Sequence, residues 1–230
     1  MRARPWLLCI SAAVVTVNAN VEKTVFLGPA ALHLPPGWPS LEDLHVDTLT
    51  PTGPSLLATQ LPVQFPTEKT PRGLESWYIL RSLERGRRYE VRICWPAFQP
   101  TDFWLDTFPV DQVFDTPELL SSLAEYSQQR QSAPLQKLQH SSATPQSVLF
   151  LRIQAAASYY STNKTLMEYP PPVDVDIILD PFILNILPHS LGPTAIYLSA
   201  VAVAAWFISG YIYRAIIAVS EELDEKDHKD

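Results

Sequence analysis

Residues 83–93, Leu83-Glu84-Arg85-Gly86-Arg87-Arg88-Tyr89-Glu90-Val91-Arg92-Ile93, place a glycine ahead of a strict alternation. Tyr89, Val91 and Ile93 share one side of that alternation, and Glu90 and Arg92 the other. A period of two is the mark of a strand with one buried face. It recurs in VDVDIIL, where Val173, Val175 and Ile177 oppose Asp174 and Asp176. It recurs again in SVLFLRIQA, with Leu149, Leu151, Ile153 and Ala155 on one face and Arg152 and Gln154 marking the other. Further strands are expected over 22–27, 56–63, 76–82, 89–95 and 103–108. About seven strands, most of them separated by proline or glycine, predict a mainly β domain built as an antiparallel sandwich.

The 83–89 stretch is similar to the tyrosine corner of fibronectin-III and immunoglobulin-like sandwiches. That likeness implies a turn at Gly86 and a hydrogen bond from Tyr89 back to upstream backbone. A helical insertion interrupts the strands over 110–146. Within it Thr116-Pro117-Glu118 supplies an N-cap residue, a proline for the first turn and an acid beside it. Leu119, Leu120, Leu123 and Tyr126 then fall on one side, predicting a short amphipathic helix. Residues 128–146, rich in Gln and Ser, read as a surface loop.

The chain has 230 residues, with 17 Lys and Arg against 24 Asp and Glu, and a formal charge of −7. No segment clusters the basic residues that phosphate neutralisation needs, so nucleic acid is not an expected partner. Twenty-two prolines against seven glycines suit short strands and turns better than a helical bundle.

Two apolar segments set the address. Residues 1–19 carry Arg2 and Arg4, an apolar core from Trp6 to Val17, and small residues before the junction. This is the pattern of a secretory signal peptide cut between Ala19 and Asn20. The alternative is a retained anchor, for which the apolar run is short. Residues 194–213, TAIYLSAVAVAAWFISGYIY, contain no charged side chain. A helix over them spans about 30 Å, the thickness of a bilayer's hydrocarbon core. Tyr197, Tyr211, Tyr213 and Arg214 are spaced as interfacial anchors. The expected organisation is a signal peptide over 1–19 and a luminal domain over 20–193. A transmembrane helix over 194–219 and an acidic cytosolic tail over 220–230 follow, giving a single-pass type I protein. The apolar connector from Asp180 to Pro188 reads equally as a last strand packed on the sandwich or as a segment lying on a bilayer or a partner.

No pattern of reactive groups emerges. Phosphate-cradling glycine loops, nucleophile elbows and His-Glu-x-x-His are absent from the sequence. His33, His45, His140, His189 and His228 lack metal-ligand spacing. Asp174 and Asp176 read as the solvated face of a strand rather than as an acid–base pair. The expectation is a non-enzyme without cofactor or metal. Asn163-Lys164-Thr165 is the sole glycosylation sequon, and Cys94 is the one thiol left after signal removal, expected free rather than disulfide-bonded. In the apolar helix Ala200/Ala204 and Ala205/Ser209 form small-xxx-small pairs followed by Gly210, the residue types that admit a partner helix. Lys226 and His228 resemble a Lys-x-His-x-x variant of the dibasic retrieval signal of endoplasmic reticulum (ER) membrane proteins.

Four segments carry a wider resemblance: Glu75–Tyr78, Arg88–Trp95, Leu149–Ala156 and Ile178–Phe182. Together with the order of signal, β-rich domain, single span and short tail, they resemble the fungal co-activator family of GPI-mannosyltransferase II over most of Val21 to Tyr213. The resemblance implies an ER accessory subunit. Such a subunit stabilises a polytopic mannosyltransferase that adds the second mannose to the GPI precursor from dolichol-phosphate-mannose, and the chemistry belongs to that partner. The residues alone leave room for a cell-surface adhesion or receptor module. They also leave room for an accessory subunit of another ER glycosyltransferase, or a cargo receptor.

Overall fold

The computed structural model describes residues 20–31, 41, 44–130 and 147–227. The signal segment with Ala19, residues 131–146 and His228 lie outside these, and of Lys226 only the helical backbone is described. The chain divides at Pro181 into two compact units, residues 1–181 and 182–230.

The first unit is the sandwich. Its strands are β1 (Val21–Leu27), β2 (Thr48–Leu49), β3 (Leu56–Leu61), β4 (Leu74–Arg81), β5 (Arg88–Cys94), β6 (Thr101–Pro109), β7 (Val148–Ala157) and most of β8 (Val173–Ile183). One sheet has the order β1-β5-β8-β3 and the other β2-β4-β7-β6. Every pairing between these strands is antiparallel except the short β2–β4 contact. The inner faces meet in a core of Tyr78, Leu80, Leu151 and Ile153 from one sheet and Tyr89, Val91, Ile93 and Ile177 from the other, all buried. Asp174 and Asp176 lie on the exposed side of β8, as a half-buried strand requires.

The second sheet departs from the simple alternation. In β7 the face marked by Arg152 and Gln154 also carries Phe150, which is fully buried. A second core covers that face, built from Trp77, Ile79 and Phe150 against Val110, Val113, Leu119 and Leu123. The cover is a pair of helices, α1 (Val110–Asp115) and α2 (Pro117–Arg130). The amphipathic reading of α2 holds for Leu119 and Leu123, whereas Leu120 points to solvent at 37% exposure. The expected surface loop starts later than proposed, because Gln128 to Arg130 complete the helix.

Two turns fix the register of the sandwich. Gly86 has φ +74°, the left-handed region that glycine enters without a Cβ penalty. Three residues on, Tyr89 is buried and its Oη accepts the Glu84 backbone N–H at 2.9 Å. Gly73, with φ +76°, opens β4 so close to Ala155 that a Cβ there would collide with the Ala155 carbonyl. Tyr89→Phe keeps the packing and orphans the Glu84 N–H. It should cost about 1 kcal/mol, or roughly 2–4 °C in thermal midpoint, read by circular dichroism of the full chain in detergent. An unchanged midpoint would remove the corner's stabilising role.

The second unit begins where Phe182 and Ile183 pair with β9 (Leu187–Pro188) in a tight hairpin. Leu184 and Asn185 both have positive φ, 51° and 58°, and the Ile186 N–H donates to the Ile183 carbonyl at 3.0 Å. A leucine held in that region costs on the order of 1–3 kcal/mol. A 3₁₀ turn (His189–Leu191) leads into α4 (Gly192–Asp227). Its 36 residues make a helix of about 54 Å, longer than the hydrocarbon core. The helix continues into the acidic residues expected as a separate tail, where Glu, Leu and Lys are good helix formers.

Candidate functional site

The stretch His189–Ile217 is long and apolar enough to cross a membrane, and its apolar window is wholly unburied within the fold. Trp206 is 79% and Tyr211 77% exposed, so bulky apolar side chains project from a helix that nothing in the described chain covers. Such a surface is compatible with a helix that packs against lipid or another helix. At about 100° per residue, Ala200 and Ala204 lie on one side, while Ala205 and Ser209 are centred roughly 140° around. A Cβ added at Gly210 would meet nothing within 4 Å. The five small residues therefore do not form one stripe. They offer two separate close-approach faces, with Gly210 on a third side. Ser199 caps its own turn, donating from Oγ to the Ala195 carbonyl at 2.8 Å, and so hides its polarity within the helix.

In the sandwich, charge is paired rather than poised. Arg152 on β7 meets Asp106 of β6 at 2.8 Å and Glu75 of β4 at 3.5 Å, with its guanidinium 5.1 Å from the centre of the Phe108 ring. Glu75 also accepts from Gln154 at 2.8 Å and from Ser122 of α2, so the network ties the helical layer to the sheet. On the other sheet Glu90 and Asp180 are cross-strand neighbours, both buried. Arg92 lies 3.7 Å from Glu90 and 3.9 Å from Asp180, and Lys23 lies 3.1 Å from Glu90. The pattern of Glu and Arg inside apolar strands was visible in the sequence. Which strands would become neighbours was not.

The sequence's candidate carboxylates hold no proton-transfer geometry. Asp174 accepts from Gln60 at 2.8 Å and from Gln99 at 3.3 Å, on an exposed face. Cys94 is free and half-buried, at an open groove of about 520 Å³ lined also by Trp95, Gln60 and Asp176. Burial pushes its thiol pKa up and Asp176 adds to the rise, against the opposing charge of Arg92. The thiol is thus held protonated at neutral pH rather than activated. No group of three or more His, Cys, Asp or Glu able to hold a metal occurs among the described residues.

Asn163 is exposed and caps α3 (Lys164–Glu168), its Oδ1 accepting the Thr165 N–H at 3.0 Å. The cap uses only the amide oxygen, so Nδ2 stays open to modification. Asn20, just after the expected cleavage point, accepts the Trp95 N–H at 3.2 Å, so the sheet takes up the chain from its first described residue.

A family model for GPI-mannosyltransferase II co-activators matches residues 67–211, from the approach to β4 to the middle of α4. That is well over half of the chain. The chain belongs to the GPI-mannosyltransferase II co-activator family. All four segments that suggested the family fall inside the match, and the fold places them side by side: Glu75–Tyr78 on β4 beside Leu149–Ala156 on β7, and Arg88–Trp95 on β5 beside Ile178–Phe182 on β8. The match begins at residue 67, so β1 to β3 lie outside it, a narrower span than the resemblance from Val21. Most of the membrane-competent stretch, His189 to Tyr211, lies within it. No curated protein and no solved structure matches the chain.

Proposed function

We propose that this co-activator is a non-catalytic accessory subunit that holds a polytopic mannosyltransferase in working form while that enzyme adds the second mannose to the GPI precursor. The observation that carries the reading is the family match extending into an unburied apolar helix. A helix whose apolar window is unburied, with small residues on two sides, suits lateral packing against a multi-helix enzyme. On this reading residues 20–193 face the lumen of the ER, 194–219 span its membrane, and 220–230 lie in the cytosol with Lys226 and His228 as a retrieval signal. The sandwich then works as a rigid luminal brace whose charged side chains serve packing.

Purification of the tagged full chain from mild detergent, with mass spectrometry of what accompanies it, tests the proposal. A polytopic glycosyltransferase should co-elute in near-stoichiometric amount, and its absence would overturn the reading. Residence is tested at Asn163, whose exposed cap geometry leaves the amide nitrogen accessible. The glycan there should stay fully sensitive to endoglycosidase H and vanish in Asn163→Gln. A processed, resistant glycan would point to the cell surface and to an adhesion or receptor module instead.

A further inference from the structure

The hairpin between β8 and β9 buries Phe182 but presents two large apolar side chains at its tip outward: Leu184 is 86% and Ile186 78% exposed. Such a turn ordinarily takes Asn, Asp or Gly, because both central residues need positive φ. Here a leucine occupies one of those positions at φ 51°. The fold gains nothing visible from it, since the side chain touches solvent on nearly every side. Strain that persists at an exposed residue points to a use outside the fold.

The surroundings say what that use is. From Pro181 to Tyr213 the chain carries no Asp, Glu, Lys or Arg, so the hairpin belongs to the same charge-free run as the spanning helix. A water-bathed stalk would be polar. Only two residues, Leu187 and Pro188, separate Ile186 from His189, where the membrane-competent stretch begins. The three steps from Ile186 to His189 reach at most about 11 Å, comparable with the headgroup layer that flanks the hydrocarbon core. The tip is therefore tethered at headgroup depth from the moment the helix inserts, whichever protein later joins it. We propose that the Leu184–Ile186 turn is a membrane-surface wedge, its leucine and isoleucine immersed among the lipid headgroups and upper acyl chains to set the depth at which the helix sits. This goes beyond the accessory-subunit reading: it needs the helix to span, and it does not depend on which enzyme is bound.

The test uses the full chain, freed of its other cysteines, in phosphatidylcholine nanodiscs without any partner. Bimane is attached at Leu184→Cys, Ile186→Cys, Phe98→Cys as a control on the sandwich, and Phe207→Cys within the helix. At 184 and 186, quenching by a headgroup-nitroxide lipid should exceed quenching by a soluble nitroxide at least 3-fold, with the order reversed at 98. Adding Leu184→Asn, which suits the turn better, should reduce lipid quenching at 186 at least 2-fold without changing the circular dichroism. Reporters at 184 and 186 that behave like the one at 98 would overturn the wedge. So would reporters shielded from both quenchers, because protein would then cover the tip. Quenching of the Phe207→Cys reporter by a deep acyl-chain nitroxide reads the span itself. Failure of the wedge is thus distinguishable from failure of the membrane assignment.

Discussion

Replacing Trp77 by alanine should lower the stability of the sandwich by about 3–5 kcal/mol, enough to consume a large part of a typical domain's margin. Trp77 is fully buried on the outer face of β4, edge-on to Phe150 at 6.2 Å and 6.1 Å from Phe108. Its indole N–H donates to the Ser122 Oγ at 2.9 Å, and Ser122 in turn donates to Glu75. Truncation removes the largest side chain of the second core and leaves a cavity that α1 and α2 can close only in part. It also cuts the hydrogen bond that seats α2. Trp77→Phe separates these effects: most of the volume stays, the donor goes, and a loss of about 1–2 kcal/mol is expected. Urea unfolding of the full chain in detergent, followed by far-ultraviolet circular dichroism, measures both. A loss below about 1 kcal/mol for the alanine variant would mean that the helical layer is not seated on the sheet through this residue. Because the segment around Trp77 is one of those shared with the family, the same variant should also lower the yield of co-purified partner.

The second large effect is expected in the apolar helix α4, and it is directional. Ala204 and Ser209 lie on faces roughly 140° apart, so one neighbouring helix can pack closely against only one of them. Ala204→Leu and Ser209→Leu are both apolar changes that leave insertion intact. The variant on the contact face should lose about 1–2 kcal/mol of helix–helix packing, roughly 5- to 30-fold in affinity, while the other stays near wild type. Quantitative co-purification of the transferase, with each variant present at equal level in the membrane fraction, reads the difference. If both variants hold their partner fully, neither face is the docking surface, and the association lies on the Gly210 side of the helix or on the sandwich.

Much of this was legible because half-buried strands leave a periodic trace. The alternation in VDVDIIL survives because one side of β8 meets water, so Asp174 and Asp176 could not be mistaken for core. The glycine turn before Tyr89 and the charge-free run ahead of Arg214 are local facts, and local facts need no partner strand. β4 is different. Its Trp-Tyr-Ile-Leu run is apolar at every position because Tyr78 and Leu80 face one core and Trp77 and Ile79 the other. Burial on both sides erases the period, and with it any sign that a helical layer would lie on top. Leu120 was misjudged for a related reason: a helical wheel gives the apolar side, and only the packing of α2 on the sheet decides where that side ends.

The sequence by itself determined the seven long strands (but neither β2 nor β9), the corner at Gly86 and Tyr89, and a helix long and apolar enough to cross a bilayer, since each follows from residues near one another in the chain. Tertiary structure alone decided that Arg152 would join Glu75 to Asp106 and that Arg92 would lie between Glu90 and Asp180. It also decided that a leucine would be held out at the tip of the last hairpin. Those outcomes depend on strand order and register, which bring together residues that are distant in sequence and that no local period connects.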